Sequence, residues 1–171
     1  PITITNPPGF TITSLDSTNV SCNGLSDGSI IITAIGGTGI INYTLNPGSI
    51  PSLTGSFTGL SGGKYTIIIS DSNVCTLTTD TITIIDPDVI SIQTEDFTNI
   101  TCNNDNDGII DVTASGGSGD LTYTLWPDGT LSQVNDGEFT GLTANTYFVT
   151  ITDTNSCPEA TSSTFTIVNP D

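Results

Sequence analysis

Apolar and polar residues alternate with a period of two along much of this chain, most clearly in Lys64-Tyr65-Thr66-Ile67-Ile68-Ile69-Ser70. Successive strand side chains point to opposite faces, so Tyr65, Ile67 and Ile69 are expected on one buried face, with Thr66 and Ser70 in water. Thr and Ile dominate such runs, and Gly, Asn, Asp and Pro interrupt them at short intervals, as in short strands joined by turns. The pattern predicts strands near 10–14, 28–35, 40–46, 54–58, 64–70 and 76–85, with a short piece near 49–53. A second series follows near 89–94, 108–115, 120–126, 137–141, 146–152 and 160–168. No segment has a helical period. Six or seven short strands in about 80 residues predict an all-β fold of tandem immunoglobulin-like β-sandwich repeats.

The two series belong to an internal repeat. Asn19-Val20-Ser21-Cys22 returns as Asn99-Ile100-Thr101-Cys102, Asp27-Gly28 as Asp107-Gly108, and Gly36-Gly37-Thr38-Gly39 as Gly116-Gly117-Ser118-Gly119. Tyr43-Thr44-Leu45 matches Tyr123-Thr124-Leu125, Phe57-Thr58-Gly59-Leu60 matches Phe139-Thr140-Gly141-Leu142, and Asp71-Ser72-Asn73-Val74-Cys75 matches Asp153-Thr154-Asn155-Ser156-Cys157. Chains that repeat whole domains in this way serve as spacers, stalks or multivalent binders. The repeat divides the chain into residues 9–88 and 89–171, with residues 1–8 expected to be the last strand of a preceding copy. A secretion signal or anchor is therefore expected outside these residues. Between the copies, Asp86-Pro87-Asp88 leaves little slack, because Pro fixes its own backbone angle and restricts the residue before it; a stiff joint is expected.

Eighteen acids against one base, Lys64, give a net charge of −17, which repels nucleic acid and anionic lipid. No nucleic-acid partner and no direct membrane insertion are expected. Each repeat holds two cysteines, Cys22 with Cys75 and Cys102 with Cys157, and their matched placement predicts one disulfide inside each repeat. Closing a loop of that length stabilises a fold by about 4 kcal/mol in the chain-entropy model. Two thiols per domain, without His, cannot complete a tetrahedral zinc site. Disulfides place the chain in an oxidising, extracellular setting. A strictly alternating strand order, however, puts Cys22 and Cys75 at opposite ends of the sandwich. The predicted bridge therefore implies either a further strand or a first strand that bends, switching sheets near Thr18–Cys22.

Little in the chain supports catalysis. His is absent, and the nearest pair of carboxylates, Asp136 and Glu138, flanks Gly137 in what reads as a turn. The chain is expected not to be an enzyme and to require no cofactor. Calcium is the candidate ion: Asn103, Asp105 and Asp107 present oxygens at alternate positions before Gly108, like the opening of a calcium loop, although an Asx-rich turn has the same composition. Gly-Gly-x-Gly reads as a hairpin, since the helix that a phosphate-cradling loop needs does not follow. Asn19, Asn42 and Asn99 lie in N-glycosylation sequons, and Ser17 and Thr81 in short O-glycosylation-like motifs. Trp126, whose counterpart is Asn46, is expected in the core or an interface rather than on a sugar-binding platform.

The ordered set of Cys, Asp-Gly, Gly-Gly-x-Gly, Tyr-Thr-Leu, Gly-Leu, Asp-x-Asn-x-Cys and a closing Asp-Pro or Asn-Pro resembles the SprB repeat. That family builds very long cell-surface adhesins of Bacteroidota, including the mobile adhesin of gliding motility. The resemblance extends over residues 9–171 and implies a non-enzymatic stalk or adhesive segment on the outer bacterial surface, outer-membrane-associated and secreted. Its implied partners are adjacent repeats of the same chain and surface polysaccharide or other cell-surface ligands. Two other readings remain: a subunit of a self-assembled extracellular filament, associating laterally or exchanging strands, and a carbohydrate-binding module.

Overall fold

The β-branched runs become strands as the alternation requires. The structure, a computed structural model, describes residues 7–103 and 105–170; the expectation for residues 1–8 falls largely outside them. Two compact units, Pro1–Asp86 and Pro87–Asp171, partition the chain. Among the described residues no helix is long and apolar enough to cross a membrane.

The first unit contains β1 (Thr11–Thr18), β2 (Gly28–Ile35), β3 (Asn42–Asn46), β4 (Ile50–Ser52), β5 (Ser56–Leu60), β6 (Gly63–Ser70), β7 (Thr76–Thr78) and β8 (Ile82–Ile84). One sheet has the order β1-β2-β5, and the other β4-β3-β6-β7, with β8 also pairing β6. All pairings are antiparallel, which gives an immunoglobulin-like sandwich. Ile30 and Ile32 of β2 meet Tyr43 and Leu45 of β3 and Ile67 and Ile69 of β6 in the core, closed by Val20, Phe57, Leu60, Ile82 and Ile84. Ile31, between two core residues on β2, is exposed. Burying a side chain of this size contributes about 1.5–3 kcal/mol, which makes the register of β2 decisive.

The second unit repeats this plan with β9 (Ser91–Thr98), β10 (Gly108–Ser115), β11 (Leu121–Trp126), β12 (Leu131–Val134), β13 (Glu138–Leu142), β14 (Asn145–Asp153), β15 (Ala160–Thr161) and β16 (Phe165–Ile167). Its sheets are β13-β10-β9 and β12-β11-β14-β15, with β16 on β14. Ile110, Val112, Tyr123, Leu125, Phe139, Val149, Ile151 and Ile167 form its core. In both units a tyrosine hydroxyl ties the sheets together. The Ala34 N–H donates to Tyr43 Oη at 3.0 Å, and the Ala114 N–H donates to Tyr123 Oη at 3.1 Å.

Three expectations are corrected. The last strand of each repeat is interrupted, because a buried hydroxyl enters the ladder: Thr79 Oγ1 accepts the Ile67 N–H at 2.9 Å, and Ser162 Oγ accepts the Val149 N–H at 2.8 Å. Gly-Gly-x-Gly is not a hairpin, since β2 and β3 lie in different sheets and the motif crosses between them. Its first glycine is required by a close approach: a Cβ on Gly36 would stand 2.1 Å from the Gly9 carbonyl oxygen, and one on Gly116 would stand 2.0 Å from that of Val89. The third is the placement of Trp126 in the core. Trp126 is 37% exposed, stacked on Phe148 at 6.1 Å between ring centroids, and its Nε1–H donates to Thr150 Oγ1 at 3.1 Å. As the last residue of β11 it follows the core residue Leu125 and so points to the outer face of its sheet.

Candidate functional site

Each sandwich has a leading end, where the chain enters, and a trailing end, where it leaves. The repeated motifs gather at these two ends rather than on the sheet faces.

At the trailing end of the first unit, residues 19–27 fold over the last strand. The Val20 N–H donates to the Ile85 carbonyl at 3.1 Å, and the Ile85 N–H returns to Asn19 Oδ1 at 2.9 Å. The Gly24 N–H donates to Asp86 Oδ1 at 2.9 Å. Asp27 clasps the loop, accepting the Ser21 N–H at 2.9 Å on Oδ1 and the Ser21 hydroxyl on Oδ2. The Ser21 hydroxyl, followed by the Ser21 N–H, holds the Asp27 carboxyl below its ordinary pKa. Cys22 is buried within this loop.

The second unit builds the same clasp. The Val168 N–H donates to Asn99 Oδ1 at 3.1 Å, and the Thr101 N–H and hydroxyl donate to Oδ1 and Oδ2 of Asp107. The Thr101 hydroxyl and then its N–H hold Asp107 below the ordinary carboxylate range. Of the candidate calcium ligands, Asp107 thus has both oxygens engaged in the loop, while Asn103 and Asp105 are exposed. Among the described residues no three His, Cys, Asp or Glu side chains gather as a metal-binding group.

At the leading end, the crossing Gly-Gly-x-Gly segment meets the loop after the long strand. Asp71, 5% exposed, accepts the N–H groups of Asn73 and Cys75 on Oδ1, both at 2.9 Å, and that of Thr38 on Oδ2 at 2.8 Å. Asp153, 7% exposed, accepts those of Asn155 at 3.1 Å, Cys157 at 2.9 Å and Ser118 at 2.8 Å. Burial pushes both carboxyls up, but these backbone N–H groups outweigh it and leave both below the ordinary value. Sequence reasoning did not single out these two carboxylates or the Asn19 and Asn99 side-chain carbonyls as anchors. Their signal was present in the recurrence of Asp-x-Asn-x-Cys and Asn-x-Ser/Thr-Cys.

The disulfides predicted inside each repeat are absent. Cys75 and Cys102 carry free, exposed thiols, whereas Cys22 and Cys157 are disulfide-bonded and buried. The reason is the length of the long strand. The Cys22 loop packs beside Ile85 and Asp86, next to the Gly63 end of β6, and Cys75 follows its Ser70 end. Eight residues, seven rises of about 3.3 Å, separate these ends by roughly 23 Å, whereas a disulfide needs Cα atoms within about 7 Å. In the second unit the nine residues of β14 separate Cys102 from Cys157 in the same way. β1 does not switch sheets near Thr18; it stays paired with β2 from Thr11 to Thr18.

Of the glycosylation candidates, Ser17, Asn19, Thr81 and Asn99 are exposed and Asn42 is half-buried in β3, but the side chains of Asn19 and Asn99 already serve as loop anchors. Asp136 and Glu138 do form a local turn, the Glu138 N–H donating to Asp136 Oδ1 at 3.1 Å.

No curated protein matches the chain in sequence. Among solved structures, it is similar to the C-terminal 282-residue fragment of intimin, crystallised in complex with the intimin-binding domain of the translocated intimin receptor. That match has 16% identity, a TM-score of 0.43 and covers 93% of this chain. The chain spans 64% of that fragment. The sequence profile of the SprB repeat matches the chain twice, over residues 14–49 and 94–130, one match in each sandwich.

Proposed function

We propose that the chain is a non-enzymatic structural and adhesive segment of a long extracellular adhesin, a stiff stalk used in surface adhesion or gliding motility at the bacterial cell surface. The observation that carries this reading is the pair of SprB repeat matches, spaced in tandem and falling on the same segment of two sandwiches with the same strand order. Three further features support it. Asn19, Asp27 and Asp71, with their counterparts Asn99, Asp107 and Asp153, hold each sandwich's own loops. The net charge of −17 keeps a long array soluble and discourages lateral collapse. The linker Asp86-Pro87-Asp88 has little torsional freedom, which suits a spacer that must reach.

The test is the reduced, denatured mass of the native protein, detected with an antibody to this segment on intact cells. A polypeptide of hundreds of kilodaltons at the cell surface is the expected result. A species near 17.7 kDa would overturn the stalk and point to a filament of small subunits.

A further inference from the structure

The two repeats act as controls for each other at their cysteines. Cys75 occupies the position that Cys157 fills in the second unit, and Cys157 is disulfide-bonded. Cys102 occupies the position of Cys22, and Cys22 is disulfide-bonded. Each free thiol therefore sits at a site whose equivalent copy is oxidised.

The free copies are already shaped like the bonded ones. The Cys75 N–H donates to Asp71 Oδ1 at 2.9 Å, as the Cys157 N–H donates to Asp153 Oδ1 at 2.9 Å. The preceding residues, Val74 and Ser156, both adopt left-handed backbone angles, with φ of 64° and 58°. On the other side, the Leu25 N–H donates to the Cys22 carbonyl at 3.1 Å and the Asp105 N–H donates to the Cys102 carbonyl at 3.0 Å. What differs is exposure: the bonded cysteines are buried and the free ones open to solvent. A partner within the same repeat is ruled out by the length of the long strand, roughly 23 Å or more.

We propose that Cys75 and Cys102 each form a disulfide with a neighbouring copy of the repeat, always between a leading-end and a trailing-end cysteine. Cys75, at a leading end, takes the Asn-x-Ser/Thr-Cys cysteine of a preceding copy. Cys102, at a trailing end, takes the Asp-x-Asn-x-Cys cysteine of a following copy. Each bond joins two Sγ atoms and breaks two S–H bonds. Two electrons and two protons pass to the disulfide of a thiol–disulfide oxidoreductase, which leaves as a dithiol. The inference rests on the array reading for the existence of neighbouring copies.

The experiment is a peptide map of the protein released from cells without reductant. Free thiols are blocked with iodoacetamide before unfolding, and digestion uses an acid protease at low pH, where thiolate is scarce and exchange is slow. The expected result is a Cys75 peptide linked to an Asn-x-Ser/Thr-Cys peptide of another copy, and a Cys102 peptide linked to an Asp-x-Asn-x-Cys peptide. Carbamidomethylated Cys75 and Cys102, or links from Cys75 to Cys22 and from Cys102 to Cys157, would overturn it. The reduced mass separates this inference from the one it rests on. Hundreds of kilodaltons with both thiols alkylated removes the disulfides and keeps the stalk. A small reduced mass with the expected links keeps the disulfides, now between chains, and removes the stalk.

Discussion

Asp71 receives the backbone N–H of Cys75 at 2.9 Å, and the same carboxylate holds Thr38 at 2.8 Å, so a single buried side chain fixes both the crossing loop and the cysteine loop at the leading end. Replacing Asp71 with Asn keeps the volume but removes the charge and turns one acceptor into a donor facing an N–H. We expect Asp71→Asn to lower the melting temperature of the chain and to loosen Cys75, read as faster alkylation of its thiol. An unchanged alkylation rate would show that the loop does not depend on this carboxylate.

The pH dependence follows from four carboxyls, Asp27, Asp71, Asp107 and Asp153, each held below its ordinary value of 3.8. A depressed folded-state pKa contributes stability that is present above the unfolded value and is lost as pH falls through the folded one. Stability is therefore expected to decline below about pH 4. Protonating the other acids relieves the repulsion of a chain at −17, which opposes the decline, so the informative quantity is a difference between proteins. The gap in melting temperature between wild type and a variant carrying Asp71→Asn and Asp153→Asn should narrow from pH 6 to pH 2. A constant gap would contradict this linkage.

Neighbours on β2 test the alternation. Ile32 is fully buried and Ile31 is 48% exposed. Ile32→Ala should cost about 2–5 kcal/mol in denaturant unfolding, through lost transfer energy and a cavity. Ile31→Ala should stay within about 0.5 kcal/mol. Equal costs would place the register wrongly.

Gly116 and Gly9 form a second contrasting pair. A Cβ at Gly116 would meet the Val89 carbonyl oxygen at 2.0 Å with φ at +91°, whereas one at Gly9 would meet nothing within 4 Å. Gly116→Ala should leave the second unit unfolded or severely destabilised by circular dichroism, and Gly9→Ala should melt like wild type.

Asp107 separates a loop clasp from an ion ligand. In buffer containing a calcium chelator, Asp107→Ala should still lower the melting temperature, because the lost partners are the Thr101 N–H and hydroxyl. Asp27→Ala should do the same through Ser21. A loss seen only when calcium is supplied would favour the ion.

Much of the fold was legible residue by residue. The predicted strands 28–35 and 108–115 coincide with β2 and β10, where isoleucine and valine alternate against a buried face and glycine marks the start. Where the pattern was weak, bounds drifted. β1 runs on to Thr18, because Leu15, Asp16 and Ser17 pair with β2 on an edge that leaves their side chains exposed, so no buried alternation marks them. β12, Leu131–Val134, was missed for a similar reason, being a short and largely exposed edge strand. At the candidate site, the sequence identified the motifs but not their geometry. Asp107 looked like a possible ion ligand, whereas its oxygens are occupied by a residue six positions earlier.

Local chemistry therefore determined the strands, the turns and the repeat, since side-chain alternation and the backbone limits of Gly and Pro act within a few residues. The pairing of cysteines was decided only by the tertiary structure. Matched positions in the sequence suggested a bond within each repeat, but β6 and β14 hold the two thiols of a repeat at opposite ends of a rigid sheet, and a disulfide cannot span a strand's length.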